Sequence, residues 1–276
     1  MVISKIVATG NDFLFLKGED CQGLTADEKS LLVRVLCDRH FGIGADGLVV
    51  VDRMEKAPLW RWEFFNSDGS LAEMCGNATR CVGRWAKKNL DMVDFEFLTA
   101  KGVVSVDANG SEVVSKIRLK LKSPEEIHYL NGKEKKTAFA IDTGVPHAVV
   151  MVDDLSDQSK LLDHVPHLRH HAHFGARGAN VTFVRLINPQ EFETVTFERG
   201  VEGFTLSCGT GVLAAGWVGL RAMQRDPVGV SVQLKTPGGL LKVSYGNEDL
   251  KLSGPAKYLF DVVVDIESII KNGAMG

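Results

Sequence analysis

The 276-residue sequence contains no CxxC pair, no HExxH, no Walker A loop and no GxSxG elbow. Those omissions remove the paired-thiolate zinc site, the thioredoxin-type redox motif, the zinc-protease helix, the P-loop and the α/β-hydrolase nucleophile. Basic charge is not in excess either: 32 Lys and Arg stand against 35 Asp and Glu, a formal net charge of −3. Without a basic field there are no counterions to release, so nucleic acid is not an expected partner. No uninterrupted apolar run is long enough to span a bilayer, which sets aside a membrane partner. The opening stretch, MVISKIVATGNDFLFLKGED, lacks a charged leader followed by an apolar core and a small-residue cleavage site. A cytoplasmic location is expected.

Five cysteines are present: Cys21, Cys37, Cys75, Cys81 and Cys208. An odd count without a secretory signal fits a reducing compartment better than a disulfide framework. Cys21, Cys37 and Cys81 read as buried, inert thiols. Cys75 and Cys208 read differently, because each opens a Cys-Gly turn running into a small-residue apolar segment, MCGNATRCVGRWA and SCGTGVLAAG.

The two turns belong to a longer self-similarity. ATGNDFLFLKGED resembles DTGVPHAVVMVDDL, RHFGIGADGLVVVD resembles HHAHFGARGANVTFVR, and WEFFNSDGS resembles VTFERGVEG. Gly10 and Gly144, Phe41 and Phe174, Asn66 and Glu198, and Cys75 and Cys208 are all separated by nearly the same length of chain. A common offset in a common order implies two homologous halves, 1–122 and 123–254, with the tail 255–276 packing on the first. The seam falls in the polar stretch KSPEEIHYLNGKEKK, Lys122 to Lys136. The active site is expected in the cleft between the halves.

Alternating or β-branched runs predict strands at Gly47–Val51, Val103–Val106 and Ile117–Leu121, and again at Val181–Val184, Val230–Leu234 and Leu240–Val243. A helix is expected before each glycine-rich turn, most clearly over Lys29–Asp38, and another after each Cys-Gly. Gly211, Ala214, Ala215, Gly216 and Gly219 leave the second Cys-Gly helix little bulk, so strands must enclose it tightly. The fold class is α/β (α+β): two pseudo-symmetric halves from an internal duplication, each a curled, mostly antiparallel sheet around a central helix.

GIGADG, Gly42 to Gly47, matches GxGxxG but follows a helix and precedes a strand, the reverse of a dinucleotide site. HVPHLRHHAHF, His164 to Phe174, holds five of the eight histidines. No carboxylate or thiol accompanies them at ligand spacing, so this reads as a solvated loop and no metal site is expected.

A thiol at a helix N-terminus meets the positive end of the macrodipole, which favours thiolate. The amides after it, freed by Gly76 and Asn77 or by Gly209, Thr210 and Gly211, suit a carboxylate. Two such features at equivalent positions imply opposed thiols. Inverting a stereocentre needs a base on one face of the carbon and an acid on the other, and a cysteine pair sharing one proton can be both. The chemistry is that of a racemase or epimerase that needs no electron-sink cofactor.

Taken in order, TGNDF, FNSDGS, MCGNATRC, FERG and SCGTG resemble the diaminopimelate epimerase family over nearly the whole chain. The resemblance implies pyridoxal-independent interconversion of LL- and meso-diaminopimelate in lysine and peptidoglycan-precursor biosynthesis. It also implies a small amino-acid substrate, no cofactor and a homodimer. Position by position, it makes Cys75 and Cys208 the acid/base thiols and Gly76, Asn77, Gly209 and Thr210 the carboxylate-binding amides. Asn11, Asn66, Asn180, Glu198 and Arg199 become substrate contacts, and His147 and Glu198 adjust thiol acidity. On the residues alone, Asn11 and Asn66 could instead cap turns, and Glu198 with Arg199 could be a surface pair.

The chain departs from the family at three places. Val145 stands where Asn often precedes Pro-His, Gly47 where Gln is frequent, and Phe204 where an acidic residue usually precedes Thr. These bear on the far end of the substrate and leave open a racemase of lysine, histidine or glutamate. From other classes, a thiol redox switch joining Cys75 and Cys208 and a non-catalytic amino-acid-binding protein also remain open.

Overall fold

A computed structural model of the protein describes residues 1–72, 74–265 and 269. It divides into two units, one of Met1–Ser115 with the described residues from Pro255 onward, the other of Lys116–Gly254. The first unit thus ends ahead of the polar stretch that begins at Lys122. Of the tail 255–276, residues 266–268 and 270–276 lie outside the described residues.

The first unit contains β1 (Val2–Ala8), β2 (Asn11–Lys17), α1 (Ala26–Cys37), β3 (Gly47–Arg53), β4 (Trp60–Asn66) and β5 (Leu71–Ala72). It continues with α2 (Gly76–Asn89), β6 (Asp94–Thr99), β7 (Gly102–Asp107) and β8 (Glu112–Ile117), which runs across the boundary. The second unit contains β9 (Glu125–Asn131), β10 (Glu134–Asp142), β11 (Pro146–Met151), α3 (Gln158–Leu162) and α4 (Val165–Arg169). After these come β12 (Asn180–Asn188), β13 (Glu191–Glu198), β14 (Gly203–Thr205) and α5 (Gly209–Ala222). Next are β15 (Ser231–Thr236), β16 (Gly239–Tyr245) and β17 (Leu250–Pro255), before β18 (Lys257–Val263) returns to the first unit.

In the first unit β1 pairs antiparallel with β2 and β18, and β2 pairs parallel with β3. Strand β3 pairs antiparallel with β4, which pairs antiparallel with β5 and parallel with β6, and β6 pairs antiparallel with β7. Each of these pairings recurs in the second unit. There β10 takes β11 and β9, β11 takes β12 in parallel, and β12 takes β13. Strand β13 takes β14 and, in parallel, β15, which takes β16. The register is kept to within one residue: Phe13 lies opposite Gly47 and His147 opposite Asn180, offsets of 134 (147 − 13) and 133 (180 − 47) against 133 (208 − 75) for the cysteines. This mixed α/β arrangement, with its two parallel steps per unit, is the strongest structural sign of the duplication.

Side-chain alternation gives each sheet two buried faces. In β2, Phe15 faces α2 and stacks on Trp85 with centroids 6.3 Å apart. The intervening Leu14 and Leu16 join Leu32, Val33 and Leu36 of α1 in a separate core on the other face. The second unit does the same, with Val149 packed among α5 residues and Ala148 and Val150 packed with Leu161, Val165 and Leu168 of α3 and α4. Each curled sheet is therefore covered twice, around its central helix and by an outer helical layer.

Three local expectations change. Helix α1 starts at Ala26, ahead of Lys29, because Thr25 and Glu28 close a capping box. The strand expected at Ile117–Leu121 lies earlier, over Glu112–Ile117, where Val113, Ser115 and Ile117 form the buried side. Beyond it Leu119 and Leu121 keep the alternation only as half-buried contacts on the α5 core, without a strand. The histidine-rich stretch is solvated, with His167, His170 and His173 exposed, but it is partly helical instead of a loop. Val165, Leu168 and Arg169 seat it on the core as α4, and the Nδ1 of His164 lies 2.7 Å from the Tyr129 hydroxyl.

Helix α5 is buried from Gly209 through Leu220, which its small residues allow. A Cβ on Gly219 would run into the fully buried Phe192 ring. Gly219→Ala is accordingly expected to lower stability by about 1–3 kcal/mol, overriding the better helix propensity of alanine. Urea unfolding of the purified variant checks this, and an unchanged midpoint would contradict it.

Candidate active site

Both Cys-Gly segments start helices where the sequence placed them. Cys75 is the N-cap of α2 and Cys208 the N-cap of α5, each extended, with φ and ψ of −144° and 116° and of −115° and 111°. Neither thiol caps its own helix, so the first-turn N–H groups are not tied down by the N-cap side chain. Cys75 is half-buried and Cys208 is buried. The other three thiols are held neutral by desolvation: Cys21 is pushed up to about 11, Cys37 to about 12 and Cys81 higher still.

In the first unit the β1–β2 turn brings Thr9 and Gly10 beneath α2. Thr9 takes a left-handed φ of 46°, a costly conformation for a β-branched residue. Its hydroxyl donates to Asn77 Oδ1 at 3.2 Å and accepts from Arg80 Nη2 at 2.8 Å. Asn77 donates in turn to Asn11, whose Nδ2 donates to Asp46 at 2.9 Å. Asp46 is also held by Arg39 at 2.7 Å. Asn11 therefore ties the glycine-rich turn to the start of α2. Asn66 stands at the exposed end of β4, opposite Gly47, with its amide donating to Ser70 at 3.0 Å. Here the turn-capping contact is present.

In the second unit Thr143 anchors the equivalent turn by donating to the Thr210 carbonyl at 2.9 Å. His147 is fully buried between hydroxyls, with Nδ1 2.9 Å from Thr182 and Nε2 2.9 Å from Thr210. The Thr210 hydroxyl lies 3.4 Å from the Cys208 sulfur, so His147 meets that thiol through Thr210. Burial, helped by the nearby Arg199 charge, pushes His147 down to about 3. Asn180 accepts the Arg199 N–H at 2.8 Å and faces His147 Nε2 at 3.3 Å. Glu198 accepts from Thr205 at 2.5 Å, and Arg199 Nη1 reaches the Gly178 carbonyl at 3.4 Å. Glu202 braces this loop by accepting from Gly200 N–H at 3.0 Å and pairing with buried Arg169 at 2.6 Å.

Two clusters result. Asn11, Gly76 and Asn77 gather at the start of α2 beside Cys75, while Asn66 pairs with Gly47 and bonds Ser70. His147, Asn180, Glu198, Arg199, Gly209 and Thr210 gather around Cys208. No group of three or more metal-ligating side chains occurs among the described residues. Thr9, Asp46, Arg80, Thr182 and Thr196 are participants that motif reading passed over. Two of them had a sequence signal: Thr182 and Thr196 sit within the β-branched and aromatic runs VTFV and VTF of β12 and β13, their hydroxyls 3.1 Å apart.

Two of the three departures have physical explanations, and Val145 has none in the structure. A Cβ at Gly47 would meet the Phe65 carbonyl at 2.5 Å and the Phe64 ring at 2.8 Å, so this backbone leaves no space for a side chain. Phe204 packs on Phe183 and Phe197, with centroids 6.1 and 5.7 Å away, and serves as core.

The sequence pattern of diaminopimelate epimerase matches residues 3–118 and 139–259, most of each half. The chain belongs to the diaminopimelate epimerase family. It is 34% identical to the diaminopimelate epimerase of Hydrogenobaculum sp. (strain Y04AAS1), over 97% of this chain and 99% of that one. It is 37% identical to that of Methanothrix thermoacetophila, over 91% of each. Among solved structures, a hydroxyproline epimerase from Agrobacterium vitis with bound trans-4-OH-L-proline superposes with TM-score 0.68 at 15% identity, covering 95% and 91% of the two chains. A putative phenazine biosynthesis PhzC/PhzF protein from Clostridium difficile gives 0.70 at 10% identity, covering 96% and 99%. At such identities these two establish the fold alone.

Neutral His147 has a pH consequence. In the unfolded chain a histidine takes up a proton near pH 6.5, whereas the buried imidazole does so only near 3. The unfolded state therefore binds more protons between these values, and stability falls as pH drops below about 6.5. Between pH 7.5 and 5.5 the protein should lose about 1.4 kcal/mol more than His147→Gln does. Urea unfolding of both at the two pH values measures the difference, and identical pH slopes would rule out a neutral buried His147.

Proposed function

We propose that this protein interconverts LL- and meso-diaminopimelate by passing the α-proton between Cys75 and Cys208, without pyridoxal phosphate. The observation that supports this most directly is the position of those two thiols, each the N-cap of the central helix in one of two homologous units. Family membership supports the substrate.

In the proposed reaction the two sulfurs address one α-carbon from opposite faces and share a single proton. One thiolate takes the α-proton, and the electron pair of the broken C–H bond moves into the carboxylate. The first-turn N–H groups at Gly76, Asn77, Gly209 and Thr210 hold that carboxylate and stabilise its added charge. The other thiol delivers its proton to the opposite face, so the stereocentre inverts and the proton deficit changes sulfurs. An unperturbed thiol of pKa about 8.5 is close enough to neutrality for either state to be reached. At the distal end, Arg199 suits a carboxylate and Glu198 an ammonium, with Asn66 and Asn180 as neutral partners. His147 acts on Cys208 through Thr210. The working form is a cytoplasmic homodimer.

In heavy water, reduced protein with LL-diaminopimelate should place deuterium at one α-carbon with no added pyridoxal phosphate. Cys75→Ala and Cys208→Ala should each cut inversion by at least about a thousandfold, as loss of an acid/base group does, while far-UV circular dichroism is kept. Full turnover in either variant would refute the two-thiol mechanism. A panel with lysine, histidine and glutamate decides the substrate. Exchange confined to one of those would make the protein a racemase of that amino acid. Activity that appears only on oxidation would mark a redox switch, and affinity without exchange a binding protein.

A further inference from the structure

Arg80 is fully buried, and no carboxylate of the described residues pairs with it. Its guanidinium folds back on the first turn of α2. Nη1 donates to the Gly76 carbonyl at 3.1 Å, and Nη2 to Asn77 Oδ1 at 2.7 Å and Thr9 Oγ1 at 2.8 Å. Its Nε is wholly buried and has no hydrogen-bond partner among the described residues. An arginine among neutral acceptors keeps most of its desolvation cost, and only a nearby anion offsets it. The residue that stands to Cys208 as Arg80 stands to Cys75 is Leu213.

We propose that Arg80 is a positioning residue of the Cys75 half-site: it fixes the Gly76–Asn77 turn and supplies the buried positive charge that makes Cys75, rather than Cys208, the sulfur resting as thiolate. The inference rests on Cys75 being an acid/base thiol. Of the other charges around α2, Arg39 pairs with both Asp12 and Asp46, and Arg84 and Lys87 donate to the Ala108 carbonyl. Lys5 on β1 and Asp12 on β2 pair with each other at 3.0 Å, and Lys88 pairs with Asp261 of β18 at 3.1 Å. Asp107 on β7, Glu112 on β8 and Lys257 on β18 are exposed, and the Cys81 thiol stays protonated. Burial lowers Arg80 to about 10, which leaves it charged at neutral pH, and a charge on Cys75 opposes that lowering.

The Cys208 side is built the other way. The Arg199 N–H fixes the Asn180 oxygen, so the Asn180 amide nitrogen faces His147 Nε2. That nitrogen of the neutral ring is then an acceptor, and the Thr210 hydroxyl donates to it. The remaining lone pair on Thr210 faces the Cys208 sulfur and accepts from an S–H. A protonated Cys208 satisfies this chain and a thiolate does not.

The test is iodoacetamide alkylation across pH 5–10, with each cysteine followed by peptide mass spectrometry. Midpoints are compared instead of rates, because the two thiols differ in exposure. In the unaltered protein the Cys75 midpoint should lie below that of Cys208. Arg80→Met should raise the Cys75 midpoint by about one pH unit, a roughly tenfold slower alkylation at fixed pH below it, and leave Cys208 in place. Arg80→Lys should restore most of the shift. A folded Arg80→Met protein with an unmoved Cys75 midpoint overturns the proposal, as does a common midpoint for both thiols in the unaltered protein, a measurement that holds even if Arg80→Met fails to fold. The midpoints need no substrate. A protein inactive toward diaminopimelate in which Cys75 still titrates first would fail the proposed reaction and uphold this assignment.

Discussion

Everything in the site depends on helix starts that are buried and carry a cysteine where a capping side chain would normally stand. Serine or aspartate there would satisfy the first N–H groups internally and end their usefulness. A thiol at the same place makes no such cap and puts a tunable acid beside those amides. The rest of each unit keeps the helix start where it is. The helix is sheathed by sheet, its small residues let strands approach within side-chain contact, and a Thr-Gly turn from the first hairpin pins the opening turn from below.

The two units share a backbone plan but not an electrostatic one. Strand pairings and register repeat, and so do the cysteine, the glycine after it and the threonine of the pinning turn. The groups beneath the helix differ: an arginine and two asparagines in the first unit, a neutral histidine among threonines in the second. A symmetric frame holding unlike charges suits a reaction in which two chemically identical groups must be in opposite protonation states at once.

Much of this was legible in the chain. The constant spacing between matching motifs exposed the duplication. The Cys-Gly turns exposed both helix starts, because glycine and small residues at those points allow close packing around the helix. Boundaries set by local side-chain bonds were less visible, as with the capping box that extends α1 to Ala26. Periodicity sets the strand of Glu112–Ile117 too far along, because Leu119 and Leu121 continue the alternation without pairing, and alternation alone cannot register a missing partner. The histidine stretch is as solvated as its composition suggests, yet Val165 and Leu168 seat it on the core as a helix, which composition does not reveal. Arg80 stayed hidden because its role also depends on Thr9 in the β1–β2 turn, which only the fold brings near.

The closing strand β18 lies beside β1, with Val2 opposite Val263. The second unit is one uninterrupted stretch of chain, while the first borrows its edge strand from beyond it. During synthesis the second unit can therefore complete its hydrogen-bonded ladder while the first still waits for β18, so the order of maturation runs against the order of translation. Protease protection of ribosome-bound chains halted before and after residue 263 would reveal that reversal, or its absence.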